Sequence, residues 1–195
     1  MYLFHDTNIL NNTNITINYE KINLIKGANG IGKSTFLKLI TGLIKCTKGK
    51  IEVGKISPEN INENVWSKQI FYLPQDDAVF HITAYELFNM IICKQVNLAV
   101  EYCFDFGLTY KNIYDTLVSD LSGGERKKIF LSLAFAIDPQ ILLLDEPTNS
   151  LDDHGKQILH KKLKNRKNGA VIISHDNIFN DIASDIYVFK NGGIF

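Results

Sequence analysis

From Gly27 to Ser34 the chain reads Gly-Ala-Asn-Gly-Ile-Gly-Lys-Ser, which fits the pattern G-x-x-x-x-G-K-S/T. Glycines at these places let backbone N–H groups turn inward around phosphate oxygens. The arrangement works when a strand leads into the loop and a helix leaves it, its positive end facing the anion. Both flanks read that way. Apolar residues alternate through Ile22 and Leu24 before the loop, and Phe36, Leu37, Leu39, Ile40 and Leu43 recur at helical spacing after it. Strand, loop and helix in that order imply a nucleoside-triphosphate site, with Lys33 bridging the outer phosphates and the Ser34 hydroxyl on Mg2+. The plain alternative is a glycine-rich turn carrying a surface lysine, and the flanking elements weigh against it.

The rest of the chain supplies the matching architecture. Ile15, Ile17, Ile22 and Leu24, with Asn11-Asn12 as a turn, predict two or three strands with an antiparallel start. KGKIEV and QIFYLPQD read as further strands, the second ended by Pro74. From about Thr83 to Tyr110 the spacing is helical, with Gly107 as a stop. LSGGERKKIFLSLAFAI reads as another helix, ILLLDE and GAVIISH as buried strands, SLDDHGKQILHKKLKNRK as a polar-faced helix, and SDIYVFKNGGIF as a terminal hairpin turning at Asn-Gly-Gly. Strands alternating with helices predict an α/β fold with a mainly parallel sheet, interrupted by a helical subdomain.

Two further motifs carry chemistry. Ile141 to Leu144 form an apolar run that delivers Asp145 and Glu146 to the C-terminal edge of a strand, where α/β sheets hold ligands. One carboxylate can serve a metal while its neighbour polarises the attacking water. In Leu121-Ser122-Gly123-Gly124-Glu125, Ser122 and Glu125 form a helix capping box. That leaves two consecutive glycines unexplained, at a cost of about 1 kcal/mol each within a helix. Glycines at a helix start leave bare donors able to close on a phosphate, which suggests a surface that meets ATP held by another copy.

Taken together, these residues resemble the ATP-binding subunit of ABC transporters over essentially all 195 residues. That family's phosphate loop is matched by Gly27, Ala28, Asn29, Gly30, Ile31, Gly32, Lys33 and Ser34, with Thr35 following. Its L-S-G-G-Q signature is matched by Leu121 to Gly124, with Glu125 in the last place. Apolar residues followed by Asp-Glu-Pro-Thr are matched by Ile141 to Thr148, and the turn after them by Asn149-Ser150-Leu151-Asp152. Gln75 matches a strand-ending glutamine that contacts the metal and couples to the membrane partner. His175 matches a histidine ending the last buried strand. An aromatic that stacks on adenine about 29 residues before the lysine falls on Phe4, with Tyr2 as a fallback.

The resemblance implies an ATP-hydrolysing subunit that drives transport through a separate transmembrane permease. Its cofactors would be ATP and Mg2+, the metal held by Ser34, Gln75 and Asp145. Glu146 would be the general base, Lys33 would neutralise the transferring phosphate, and His175 would contact the γ-phosphate. Ser122, Gly123, Gly124 and Glu125 would complete the site of a second copy, or of a homologous ATPase, in a head-to-tail dimer. The implied fold is a P-loop NTPase of ABC-ATPase type, a mainly parallel sheet with an N-terminal antiparallel β subdomain. One domain, 1–195, is expected, with a nucleotide-binding core at 1–75 and 138–195 and a short helical subdomain at about 76–137. Val79, Phe80 and Ile82 are candidates to line a groove for a permease helix, or equally to be the subdomain's core.

Composition sets limits on rivals. Lys plus Arg number 21 and so do Asp plus Glu, so the formal charge is zero and nucleic acid is a poor partner. The longest apolar stretch, Ile129 to Ile137, falls far short of the roughly 20 residues of a spanning helix. The N-terminus lacks the basic start and apolar run of a secretion signal. Cys46, Cys93 and Cys103 form no C-x-x-C and read as reduced, buried thiols, which points to the cytoplasm; the resemblance to a transporter subunit implies a peripheral place on the inner face of the membrane. The histidines His5, His81, His154 and His160 show no metal spacing, and KKLKNRK reads as a solvated helix face. The rival is a soluble ABC-type ATPase, such as one for iron–sulfur assembly. A small-molecule kinase fails on the signature and on His175.

Overall fold

A computed structural model describes residues 15–53, 57–58, 69–190 and 193–195. Its sheet is built from β1 (Ile22–Gly27), β2 (Ile70–Leu73), β3 (Ile141–Asp145), β4 (Gly169–Ile173), β5 (Asp185–Lys190) and β6 (Gly193–Ile194), in the order β2-β3-β4-β1-β5-β6. All neighbours are parallel except β5 with β6. Every residue of β3 and β4 is buried. Continuous apolar runs of this kind belong to parallel strands covered on both faces.

Two cores follow from that geometry. Leu24, Leu142, Leu144, Ala170 and Ile172 point to one side, where most of the helices pack. Ile25, Ile141, Leu143, Val171 and Ile173 point to the other, against Phe36 and Leu37 of helix α1 (Lys33–Ile40). Each such side chain taken out of water, Ala170 excepted, contributes about 1.5–3 kcal/mol.

The remaining helices are α2 (Ala84–Ile92), α3 (Val96–Asp105), α4 (Tyr110–Tyr114), α5 (Gly123–Ile137) and α6 (Asp153–Lys164). Reciprocal capping boxes open three of them, at Thr83/Glu86, Thr109/Asn112 and Ser122/Glu125. Gly107 stops α3 with φ +81°, a left-handed turn that glycine adopts without strain. Helix α5 is buried continuously from Lys127 to Ala136, so it threads between the sheet and the other helices rather than lying on the surface. Among the described residues, no helix is long and apolar enough to cross a membrane.

Several expectations need correction. KGKIEV is not a strand; within it, only Val53 makes a bridge, and Ile15 to Asn18 are not in a strand. Residues 1–14, on which most of the expected antiparallel start falls, lie outside the described residues, as do Asn191 and Gly192 at the turn of the terminal hairpin. Of the three thiols only Cys103 is buried, while Cys46 is half-buried and Cys93 exposed. Burial pushes the Cys103 thiol up to about 12.

The basic run after α6 begins is not merely solvated. Lys162 pairs with Asp105 at 2.9 Å and sits 3.4 Å above the Tyr102 ring, and Arg166 pairs with Asp138 at 3.0 Å. Long aliphatic stems let these cations cover apolar surface while their heads find partners on α3 and at the end of α5. His154 and His160 are likewise structural, 3.0 Å from the Asp105 carbonyl and 2.8 Å from Asp181.

Gly169 opens β4 under the backbone of Tyr19 and Lys21, whose carbonyls a Cβ would enter. Gly169→Ala is therefore expected to lower stability by about 1–3 kcal/mol or more, as overpacking does. A urea titration reads this as a lower midpoint; an unchanged midpoint would show that the Tyr19–Lys21 segment does not lie over β4.

Candidate functional site

The loop between β1 and α1 is shaped by its glycines. Gly30 and Gly32 take φ +76° and +106°, where an L side chain is strained. Gly27 runs so close to β5 that a Cβ would stand 2.8 Å from Phe189 Cβ. Ala28, Asn29 and Gly30 are exposed at the tip. The first turn of α1 holds Lys33, Ser34 and Thr35 and no acidic residue, so the positive end of the helix faces the loop uncompensated.

Lys33 is buried, which excludes the alternative of a turn carrying a surface lysine. It begins α1 instead of lying in the loop, and its Nζ donates to Gly27 O at 2.7 Å and Ala28 O at 3.0 Å. Burial lowers its pKa, while the charges of Glu146 and Asp145 act to raise it. His175 Nε2 lies 3.4 Å from Lys33 Nζ, 3.1 Å from Asn29 Oδ1 and 3.5 Å from Glu146 Oε1. One ring nitrogen cannot accept from Lys33 and donate to a carboxylate at once. The proton on His175 therefore decides which neighbour it serves.

Asp145 ends β3 and is only 1% exposed. Its Oδ2 accepts from the Tyr72 hydroxyl at 3.3 Å, while Oδ1 is buried without a hydrogen-bond partner. Burial, then the charge of Asp145, raise the pKa of Tyr72 far above the ordinary range, so the hydroxyl stays a donor. Glu146 follows with φ +47°, unusual for a residue other than glycine, and its N–H bonds Ile173 O at 2.8 Å. Burial raises the Glu146 pKa, against the lowering effect of His175 and Lys33.

The orphaned buried oxygen of Asp145 and the Ser34 hydroxyl in the first turn of α1 are both hard oxygen donors. That set fits Mg2+, which is usually held by one or two carboxylates together with phosphate oxygens and water. Gln75 is exposed just past β2, two residues beyond its last residue Leu73.

The turn at 122–125 makes its contacts elsewhere. Glu125 Oε2 accepts from Ser122 N at 2.8 Å and Ser122 Oγ at 2.7 Å, and its Oε1 accepts from Asn112 at 2.8 Å. These bonds hold its carboxyl below the usual carboxylate range. The Glu in place of Gln thus braces α4 against α5. Gly124 has a local reason as well: a Cβ there would stand 2.5 Å from Ser150 O, so the backbone of the 148–151 turn occupies that space. Gly123 would meet the Ser150 side chain no closer than 3.7 Å, so its bare backbone has no such internal demand.

The structure thus brings together Lys33, Asn29, Asp145, Glu146 and His175 at the C-terminal ends of β1, β3 and β4. Phe4 and Tyr2 lie outside the described residues. Tyr72, three residues before Gln75, was not singled out in the sequence. Its signal is the strand period, since it pairs with Leu143 and shares a face with Asp145. Lys128, just past the 122–125 turn, pairs with Asp152 at 2.9 Å, and Asp152 in turn caps α6.

Residues 10–149 match the ABC transporter family. The chain is 29% identical over 186 residues to a probable iron export ATP-binding protein, FetA, of Escherichia coli, covering 90% of this chain and 81% of that protein. It is 30% identical over 192 residues to the energy-coupling factor transporter ATP-binding protein EcfA of onion yellows phytoplasma, covering 94% and 71%. It also resembles the dimeric structure of the ATP-binding cassette MJ0796 in a post-hydrolysis state with ADP and Pi. There the TM-score is 0.78 at 26% identity, over 95% of this chain and 88% of that one.

The raised pKa of Glu146 has a consequence for stability. A carboxyl that is harder to ionise when folded destabilises the fold once pH rises above its unfolded value, and costs nothing when both states are protonated. Glu146→Gln is therefore expected to melt at a higher temperature than the parent near pH 7. The gap should close as pH falls toward about 4, where the unfolded carboxyl titrates. Scanning calorimetry at several pH values reads the difference, and a pH-independent or reversed gap would contradict a destabilising carboxylate.

Proposed function

The chain belongs to the ABC transporter family, and we propose that it is the ATP-hydrolysing subunit whose cycle drives transport through a separate transmembrane permease. The observation that carries this is the meeting of Lys33, His175 and Glu146 at the ends of three adjacent strands, beside a loop shaped for phosphate. The nucleotide-binding core would comprise 1–75 and 138–195, with 76–137 as a helical arm.

Residues 27–35 would wrap the phosphates, and Lys33 would exchange the carbonyls of Gly27 and Ala28 for phosphate oxygens. Glu146, its carboxyl made more basic by burial, would take the proton of the attacking water. His175 would donate to the γ-phosphate from the nitrogen that now faces Lys33, Asn29 and Glu146. Ser34, Asp145 and Gln75 would hold Mg2+, which would supply positive charge against the phosphates. Tyr72 would keep one Asp145 oxygen occupied so that the other faces the site. Phe4 is the proposed adenine platform.

The exposed 122–124 turn would close on the ATP of a second copy or a homologous ATPase, head to tail. Glu125 would act by holding that turn. On the arm, Val79 is 58% exposed, whereas Ile82 packs on the core and Phe80 straddles both, its ring 6.2 Å from that of Phe130. Val79 and Phe80 would meet the permease, and the chain would then work at the cytoplasmic face of the membrane.

Lys33→Ala is expected to abolish phosphate release. Because it also deletes a buried cation bonded to two carbonyls, a modest fall in Tm should accompany the loss. Wild-type turnover in this variant would refute the site. Glu146→Gln should trap an ATP-bound dimer on size-exclusion chromatography. A strictly monomeric Glu146→Gln chain that binds ATP would contradict a site shared between copies.

A further inference from the structure

Lys127 lies in the second turn of α5, directly after the 122–125 turn, and is 2% exposed. A lysine packed beside apolar surface normally sends its ammonium out to water. This one is enclosed, and its partners all come from one short segment. Nζ donates to Pro74 O at 3.1 Å and to Gln75 O at 2.9 Å, and forms an ion pair with Asp77 Oδ1 at 2.8 Å. The Asp77 side chain is itself only 8% exposed. Three donors are matched to three acceptors within four residues of chain, so the contact holds the main chain of that segment.

That segment carries Gln75. Just before Lys127 in the chain, the start of α5 carries Ser122 to Glu125. An apolar side chain of similar length would fill the space as well and avoid desolvating two charges, which commonly costs as much as the pair returns. What the ion pair adds is direction: it fastens one particular backbone, by its carbonyls, to one helix turn.

We infer that Lys127 is a positioning residue that makes the Gln75 segment and the 122–125 turn move as one body. Displacement of Gln75 by an occupied site is then passed to the surface offered to a second copy. The inference rests on the proposed roles of Gln75 and of that turn. The Lys127 ammonium is enclosed against the 74–77 segment, so it acts through the carbonyls of Pro74 and Gln75.

The test is the double variant Lys127→Met/Asp77→Asn, which removes the tie without leaving one buried charge alone. Monomer affinity for ADP and the KM for ATP should stay at the wild-type level. The kcat, and the affinity of the ATP-bound dimer measured in a Glu146→Gln background, should each fall about tenfold, the size of a typical coupling between sites. Lys127→Arg, with Asp77 kept, should recover most of the loss. A double variant with wild-type kcat and dimer affinity would overturn the inference.

Hydrogen exchange on the unmutated chain gives a second measurement that does not depend on the variant folding. An uncleavable ATP analogue, at chain concentrations that keep it monomeric, should change protection at 74–79 and at 121–127 together. A change confined to 74–79 would overturn the inference. A wild-type chain that neither binds ADP nor hydrolyses ATP would instead remove the ATPase reading, and the tie with it.

Discussion

The site depends on the register of the ladder β3-β4-β1. Ile173 pairs with both Asp145 and Ile25, so β3 and β4 end level with one another while β1 runs two residues further, to Gly27. Directly past that row lie Glu146, Ser174 followed by His175, and Lys26 followed by the loop. A slip of one residue would turn Asp145 to the opposite face and put Leu144 in its place, because side chains alternate along a strand. Burial on both faces prevents the slip, since Ile141 and Leu143 fit one core and Leu142 and Leu144 the other.

On that platform the protein keeps charges where they are costly. Glu146 is 9% exposed in a left-handed conformation, Lys33 is 7% exposed, and Asp145 has an oxygen without a partner. Each is a local penalty borne by the surrounding apolar packing. Concentration of such penalties in one corner of the sheet is how a site preorganised for a charged substrate differs from a structural ion pair. The pairs elsewhere, such as Lys162 with Asp105, satisfy their partners and brace elements.

The helical arm is joined to this corner through α5. Its first two turns carry Glu125, bonded to Asn112, Lys127, bonded to the 74–77 segment, and Lys128, paired with Asp152. The 122–125 turn thus sits where ties from α4, from the end of β2 and from the turn after β3 converge. Gly124 admits the Ser150 carbonyl at the same place. The arm's outer surface, at Val79 and in part Phe80, lies a few residues further along the segment that Lys127 holds.

The sequence by itself determined the elements and their chemistry. The loop at 27–34, the buried runs at 141–145 and 169–173, the Ser122/Glu125 capping box and the Gly107 stop were all legible, because each depends on neighbours a few residues away. It also carried the likeness to ABC transporter subunits, since the motifs and their order are linear. It could not show which of the basic residues were buried. Lys33, Lys127, Lys162 and Arg166 look alike in sequence, and only the fold brings carbonyls, Asp77, Asp105 and Asp138 to meet them. The same holds for Tyr72, whose partner is 73 residues away, and for Gly124, whose bareness serves a carbonyl at 150. Periodicity and local capping act over one or two turns, whereas desolvation and ion pairing are decided by what the packed chain puts opposite each charge.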